Sequence, residues 1–167
     1  RYSDLKTRNR VIISLLIYQA LTTGEIVKLT LDNINLKEGT IYIKQGLKSN
    51  SRTLKLQTTQ IMLLHEYIHQ TRSKLLKVET NQLIISKVGN PESGEQISYL
   101  IGTFKKQFPG RNLNPKTIRQ SVITNLLKEK DLRKVQVFAG HKYPSATEKY
   151  KQSDVEELKN EVLKYHP

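Results

Sequence analysis

Apolar residues cluster at helical spacing over residues 4–21, through Val11, Ile12, Leu15, Leu16 and Tyr18, with Asp4 in the first turn and no Gly or Pro inside. That pattern predicts an amphipathic helix. Residues 24–29 read as a short second helix, with Thr22 or Thr23 as its cap. The period then changes. Ile34 and Leu36, Ile41 and Ile43, and Leu54 and Leu56 alternate with polar residues, and turns at 37–39 and 48–51 separate the runs. This predicts a three-stranded antiparallel meander with a basic hairpin tip.

Helical spacing returns over residues 58–76 through Ile61, Leu64, Ile68 and Leu75. Leu83-Ile84-Ile85 reads as a short strand or extended run, and residues 89–94, with Pro91, as a loop. Further helices are predicted over 97–108, 115–128, 130–139, 145–152 and 154–165. Asn114 caps the second of these with Pro115 at its first position, Gly140 closes the third, and Ser153 caps the last. The fold class is therefore mainly α with a small three-stranded antiparallel sheet. Its 167 residues suit one domain with one core. The final stretch, 153–167, is amphipathic through Val155, Leu158, Val162 and Leu163, and suits packing on its own core or in trans on a neighbouring protomer.

Charge narrows the partner. The chain carries a formal net charge of +13 and a sequence pI of about 9.9, which points to a polyanion. No apolar run is long enough to span a bilayer, and no basic helix has an opposite face rich in Trp or Phe, so double-stranded DNA is favoured over a membrane. There is no Cys, which excludes disulfides, thiol catalysis and thiolate metal sites. No secretory signal is visible, so a cytoplasmic, nucleoid-associated protein is expected.

Candidate chemistry concentrates in residues 114–152. Breaking a phosphodiester without a metal requires a nucleophile, cationic donors for the non-bridging oxygens and a general acid for the departing sugar oxygen. Arg119, His141 and Tyr150 follow one another on consecutive predicted helices. Arginine's planar fork suits phosphate oxygens, and a phenol can attack phosphorus and conserve the bond as a phosphotyrosine.

This segment resembles the C-terminal motif region of the tyrosine recombinases, the phage integrase family, whose pattern runs His-x-x-Arg, Leu-Gly-His, Tyr. Here it stands as Lys116-Thr117-Ile118-Arg119, Ala139-Gly140-His141 and Tyr150, preceded by the similar run Asp131-Leu132-Arg133-Lys134-Val135-Gln136. Upstream, Ala20 to Ile26 with Leu29 and Asp32 is similar to the family's Gly-Leu-Arg-Ile-Ser-Glu-Leu box. Leu47 to Thr53 resembles the hairpin that carries the family's catalytic Lys.

The resemblance implies a tyrosine recombinase catalytic domain over residues 1–167, with an N-terminal core-binding domain absent from this chain. It implies site-specific recombination or integration, with cleavage and religation through a 3′-phosphotyrosine on Tyr150. Arg119 and His141 would contact the non-bridging oxygens, Lys48 would protonate the 5′-oxygen, and Lys116 would take the first His position. Other protomers are the expected partners, monomeric alone and tetrameric on DNA. No metal or other cofactor is implied. Arg52, Lys142 and Arg133 are expected to bind DNA phosphates.

Two departures stand out. The family's first Arg falls at Thr22, which has no charge, and its first His at Lys116, a poor base while protonated. Losing one clamp Arg costs on the order of 3–5 kcal/mol unless another cation replaces it. Arg10, Lys28 and Arg52 are the candidates by proximity in sequence. A catalytically degenerate relative that binds DNA without cutting it is the alternative. His65-Glu66-Tyr67-Ile68-His69 also fits the short zinc-hydrolase pattern His-Glu-x-x-His. That pattern explains neither the charge nor the C-terminal motif, so both His are read as helix residues, one of them partly buried beside Leu64 and Ile68.

Overall fold

A computed structural model describes residues 2–151. The first helix, α1 (Tyr2–Tyr18), buries Val11, Ile12, Leu15 and Leu16 completely. It stops three residues short of the sequence expectation. The cause is Ala20, a buried residue with φ +50, a left-handed conformation that costs a non-glycine residue roughly 1–3 kcal/mol. The break turns the chain so that the Ala20 carbonyl faces residues almost a hundred positions away. Helix α2 (Thr23–Lys28) follows, capped by Thr22.

The sheet is the predicted meander, in the order β1 (Ile34–Asn35), β2 (Thr40–Ile43), β3 (Arg52–Lys55), antiparallel throughout. Register pairs Ile41 with Leu54 and Ile43 with Arg52. Because side chains alternate faces along a strand, Leu54 and Arg52 share the buried face, while Thr53 and Lys55 face solvent.

Helix α3 (Thr58–Glu66) runs through a π-helical turn at Tyr67–Thr71 into α4 (Arg72–Leu75). The single helix expected over 58–76 is thus interrupted in hydrogen-bond pattern but not in direction. Tyr67, fully buried, marks the start of the wide turn. Its hydroxyl donates to the Leu83 carbonyl and accepts from the Ile85 amide, each at 3.1 Å. Residues 83–85 form an extended buried run tied down by isolated bridges rather than a strand of the sheet.

Helix α5 (Gly94–Gly102) replaces the expected 97–108 helix. It starts earlier because the Ser93 hydroxyl accepts from the Gln96 amide. It ends at Gly102, and a 3-10 turn at Lys105–Gln107 follows. Helix α6 (Pro115–Glu129) has the predicted Asn114 cap. Helix α7 (Leu132–Ala139), capped by Asp131, ends at Gly140 with φ +71. Residues 145–151 are helical and form α8. The predicted tail over 153–167 lies outside the described residues.

The main core packs α1, α3, α5 and the sheet around Leu15, Leu16, Ile41, Leu64 and Ile97. A smaller cluster joins Ala20, Ile123, Val135 and Ala139, with Tyr150 packed against it. Buried Gln19 and Gln60 exchange amide hydrogen bonds of 2.9 and 2.8 Å, and Gln19 also donates to the Lys55 carbonyl at 3.0 Å. This fastens the end of α1 to α3 and β3. His65 and His69 are both exposed, correcting the expectation that one is partly buried. The helix turns them outward while Leu64 and Tyr67 face the core. Among the described residues no helix is long and apolar enough to cross a membrane.

Tyr67→Phe leaves a buried carbonyl and a buried amide without their shared partner. It is expected to lower unfolding free energy by about 1–3 kcal/mol in urea titration, with little change in secondary structure by circular dichroism.

Candidate active site

The turn at residues 19–22 links the two clusters, and the site is built around it. Arg119, near the middle of α6, is buried. Its Nη1 donates to the Ala20 carbonyl, and its Nη2 donates to the Ala139 carbonyl at 2.8 Å. One guanidinium thus joins α1, α6 and the end of α7. Nη2 also lies 3.1 Å from His141 Nε2.

His141 follows Gly140, whose left-handed φ lets the chain leave α7 and double back. Its Nδ1 is 2.8 Å from Thr147 Oγ1, on a fully buried Thr. Arg119 can only donate, so Nε2 must accept, which places the ring proton on Nδ1, donating to Thr147. Gln136, also buried, donates to the His141 carbonyl at 3.1 Å. The Tyr150 ring stacks on the imidazole, with centroids 5.9 Å apart and planes 6° from parallel. Thr147 and Tyr150 are three apart on α8, so they lie on one face of it.

The charges are dense. Glu25 accepts from Arg52 Nη1 at 2.7 Å and from the Thr22 amide at 2.9 Å, and it lies 3.9 Å from Arg119. Burial by itself pushes the Glu25 carboxyl up. The hydrogen bond and charge of Arg52, the Thr22 amide and Arg119 outweigh that and hold it below the usual carboxylate value. Burial lowers the Arg119 pKa; Glu25 opposes this and Arg52 reinforces it. His141 is lowered to about 4, first by burial and then by the Arg119 and Arg52 charges. The imidazole is therefore neutral near pH 7.

Arg119, His141 and Tyr150 come together, and Arg52 joins them from the sheet. Lys48 is exposed in the loop between β2 and β3. That loop is fastened to the site by the Asn50 amide, which donates to the Gly140 carbonyl at 2.8 Å, and by a Ser49–His141 bridge. Lys142 is engaged with the same loop, its Nζ donating to the Leu47 carbonyl at 2.8 Å. Arg133 donates to Gln136 at 3.0 Å, so in this structure it braces the residue that holds His141. Lys116 is exposed in the first turn of α6, outside the contacts that join the cluster.

Thr22 caps α2 and forms a capping box with Glu25. Its short side chain borders a cleft of about 330 Å³ lined also by Gly24, Lys28, Lys44 and Ser49. Sequence reasoning missed Glu25 as the shared counter-ion and Thr147 and Gln136 as the residues that orient His141. Glu25, inside the upstream box, and Gln136, at the end of the run before Gly140-His141, carried a signal; Thr147 did not. Among the described residues no group of three His, Asp or Glu side chains is placed to hold a metal ion, and Glu66 of the His-Glu-x-x-His stretch accepts from Thr7 at 2.9 Å.

Helices in this order around a three-stranded antiparallel sheet define the tyrosine recombinase catalytic-domain fold. The crystal structure of XerA recombinase superposes with a TM-score of 0.77 at 21% identity, covering 96% of this chain and 57% of that one. XerH site-specific recombinase, bound to palindromic difH substrate in a post-cleavage complex, gives 0.77 at 22% identity, covering 98% and 47%. The chain belongs to the phage integrase family, whose model matches residues 1–157. Tyrosine recombinase XerD of Staphylococcus haemolyticus is 31% identical over 163 residues, 96% of this chain and 55% of that protein. Tyrosine recombinase XerC of Lacticaseibacillus casei is 27% identical over 170 residues, 99% and 57%. The chain spans about half the length of the curated relatives it matches.

The His141 shift has a definite pH signature. Between about pH 4 and the ordinary value of 6.5, the unfolded chain binds a proton that the folded one refuses. Stability from this group is therefore complete above pH 6.5 and is lost as pH falls toward 4. The melting temperature is expected to drop across that window, and His141→Gln is expected to reduce the drop. An NMR titration of the imidazole should give a midpoint near 4, with the Nδ1–H tautomer above it.

Proposed function

We propose that this chain is the catalytic domain of a site-specific DNA recombinase or integrase that cuts and rejoins strands through a 3′-phosphotyrosine on Tyr150. The observation that carries the reading is the stacking of Tyr150 on a neutral His141 that also accepts a hydrogen bond from buried Arg119. A nucleophile, a proton acceptor and an anion-binding fork are thereby within one side chain of each other.

The chemistry follows from those states. As Arg119 turns from His141 Nε2 to the phosphate, the Tyr150 phenol moves off the ring face and gives its proton to the freed in-plane lone pair of Nε2, while its oxygen attacks phosphorus. A phosphate brought against the imidazole favours its protonated form, because an opposite charge raises a histidine pKa. The imidazolium then donates to a non-bridging oxygen, and Arg119 supplies two-pronged donation to the developing charge. The phosphorus–O5′ bond breaks, and Lys48, brought in on the loop that abuts His141, protonates the leaving oxygen. Religation runs the same steps backwards, with a 5′-hydroxyl from the partner strand as nucleophile. Lys116, one turn ahead of Arg119, binds a flanking phosphate. The net charge of +13 supports attraction to double-stranded DNA. XerH, of the same fold, is bound to its difH substrate, and by analogy this chain acts on a duplex with other protomers in a synapse. The alternative, binding without cleavage, draws on the uncharged Thr22 and the cleft beside it.

A nicked suicide duplex carrying the cognate site decides between them. The expected result is a covalent protein–DNA complex that disappears in Tyr150→Phe. Intact binding with no trapped complex would establish the non-cleaving reading instead.

Lys48 is tested by the leaving group. Lys48→Ala is expected to slow cleavage of an ordinary substrate by about 10²–10⁴-fold. A 5′-bridging phosphorothiolate, whose sulfur leaves without a proton, should restore near-wild-type cleavage. Equal loss on both substrates would remove Lys48 from the general-acid role.

A further inference from the structure

Arg52 is a charged side chain on the buried face of the sheet, in phase with Leu54. Its side chain is 2% exposed, and its Nη1 is held by Glu25 at 2.7 Å. Its Nε and Nη2 are buried and have no hydrogen-bond partner among the described residues. A guanidinium carries five N–H groups, and a donor left unpaired in an interior is destabilising. Donors kept in that state beside a cluster of reactive side chains suit an anionic ligand that completes them.

The position fits. Gly140, which joins the Ala139 carbonyl held by Arg119 to His141, lies directly over the Arg52 guanidinium. A Cβ at Gly140 would come within 2.8 Å of Arg52 Cζ. The Arg52 charge is felt at both His141 and Arg119. The other nearby cations are placed differently. Arg10 is exposed and lines a separate groove with Met62 and Gln70. Lys28 and Lys44 are exposed at the cleft beside Thr22.

We infer that Arg52 is the second guanidinium of the phosphate clamp, reaching the non-bridging oxygens of the scissile phosphodiester from β3 in place of the cation that Thr22 lacks. The inference rests on the reading of the Arg119–His141–Tyr150 cluster as a phosphodiester site. Glu25 holds Arg52 by one nitrogen and leaves the Nε–Nη2 edge, the edge suited to two parallel bonds with an oxyanion. The Gly140 backbone packs against the Nη1, Cζ and Cδ atoms of Arg52, and the Nε–Nη2 edge is buried in the free protein. Phosphate reaches it as the β2–β3 loop and the Gly140–His141 segment separate, which breaks the Asn50–Gly140 and Lys142–Leu47 hydrogen bonds.

The test uses the whole chain labelled with ¹⁵N-arginine and titrated with orthovanadate, an oxyanion that adopts the five-coordinate geometry of phosphoryl transfer. The Arg52 Nε–H signal, assigned by its loss in Arg52→Lys, is expected to shift with vanadate. Arg52→Lys keeps a cation for Glu25, and is expected to weaken vanadate binding at least about tenfold while melting within a few degrees of wild type. Three results would overturn the inference: no vanadate binding, binding that leaves the Arg52 signal unmoved, or unchanged affinity in folded Arg52→Lys. Vanadate bound through Arg52, without any covalent DNA complex, would uphold the clamp and defeat the strand-cleavage reading. A covalent complex with Arg52 unmoved would do the reverse.

Discussion

The site depends on one half-buried carboxylate. Glu25 holds Arg52 by a direct ion pair, stands 3.9 Å from Arg119 and accepts the Thr22 amide. Two guanidiniums this close repel each other, and both are largely removed from water. Without the anion between them the arrangement would hold two poorly compensated charges, and uncompensating a buried ion pair typically costs 3–5 kcal/mol. Glu25 is therefore less a stabiliser of the fold than the condition for assembling the cations at all. It also fixes how Arg52 is held, engaging Nη1 and leaving Nε and Nη2 unengaged. The same carboxylate closes the capping box of α2, so the helix start and the charge cluster are set by one side chain.

Arg119 shows how the fold reaches the same point from the other side. Its donors go to the carbonyls of Ala20 and Ala139, the ends of two chain segments that have just left helices. Carbonyls at a helix end have lost their intrahelical partners, and a guanidinium supplies several donors in one plane. The left-handed turn at Ala20 is the local cost of aiming one of those carbonyls. Gly140 performs the matching turn at the end of α7 without that steric cost. Neither turn exists for packing alone; each delivers an acceptor to Arg119 and so places His141 beside it.

Much of this was legible in the sequence. The change from helical to alternating period marked the meander, and the Asn114-Pro115 start and Gly140 stop fixed α6 and α7 to within a couple of residues. What failed was governed by tertiary contacts. The early end of α1 follows from a backbone conformation that no propensity assigns to alanine. The π-helical turn follows from Tyr67 finding partners at Leu83 and Ile85, which are distant in sequence. Thr147 carried no signal, because a threonine three residues before a tyrosine is ordinary until His141 is seen against it. Arg52 did carry one that was read only loosely. In a strand whose alternate residues face inward, Arg52 stands in register with Leu54 and Leu56, and an inward charge at such a position demands a counter-ion.

The protonation state of His141 bears on how the proposed substrate complex would differ from the free protein. Alone, the ring is kept neutral first by burial and then by the Arg119 and Arg52 charges, with a pKa of about 4. Its acceptor nitrogen is then satisfied by Arg119, so neither group is directed at solvent. On the proposed mechanism, a phosphodiester entering this space would bring a negative charge that offsets the Arg119 and Arg52 charges at the ring. Arg119 would gain a better acceptor than an imidazole nitrogen, His141 would be able to keep a proton, and the phenol stacked on it would acquire a base as the phosphate arrives. On that mechanism, the base would become available to Tyr150 only in the filled site. A cluster that held its histidine charged from the start could not make that distinction, since the ring would have no lone pair to accept the phenol's proton.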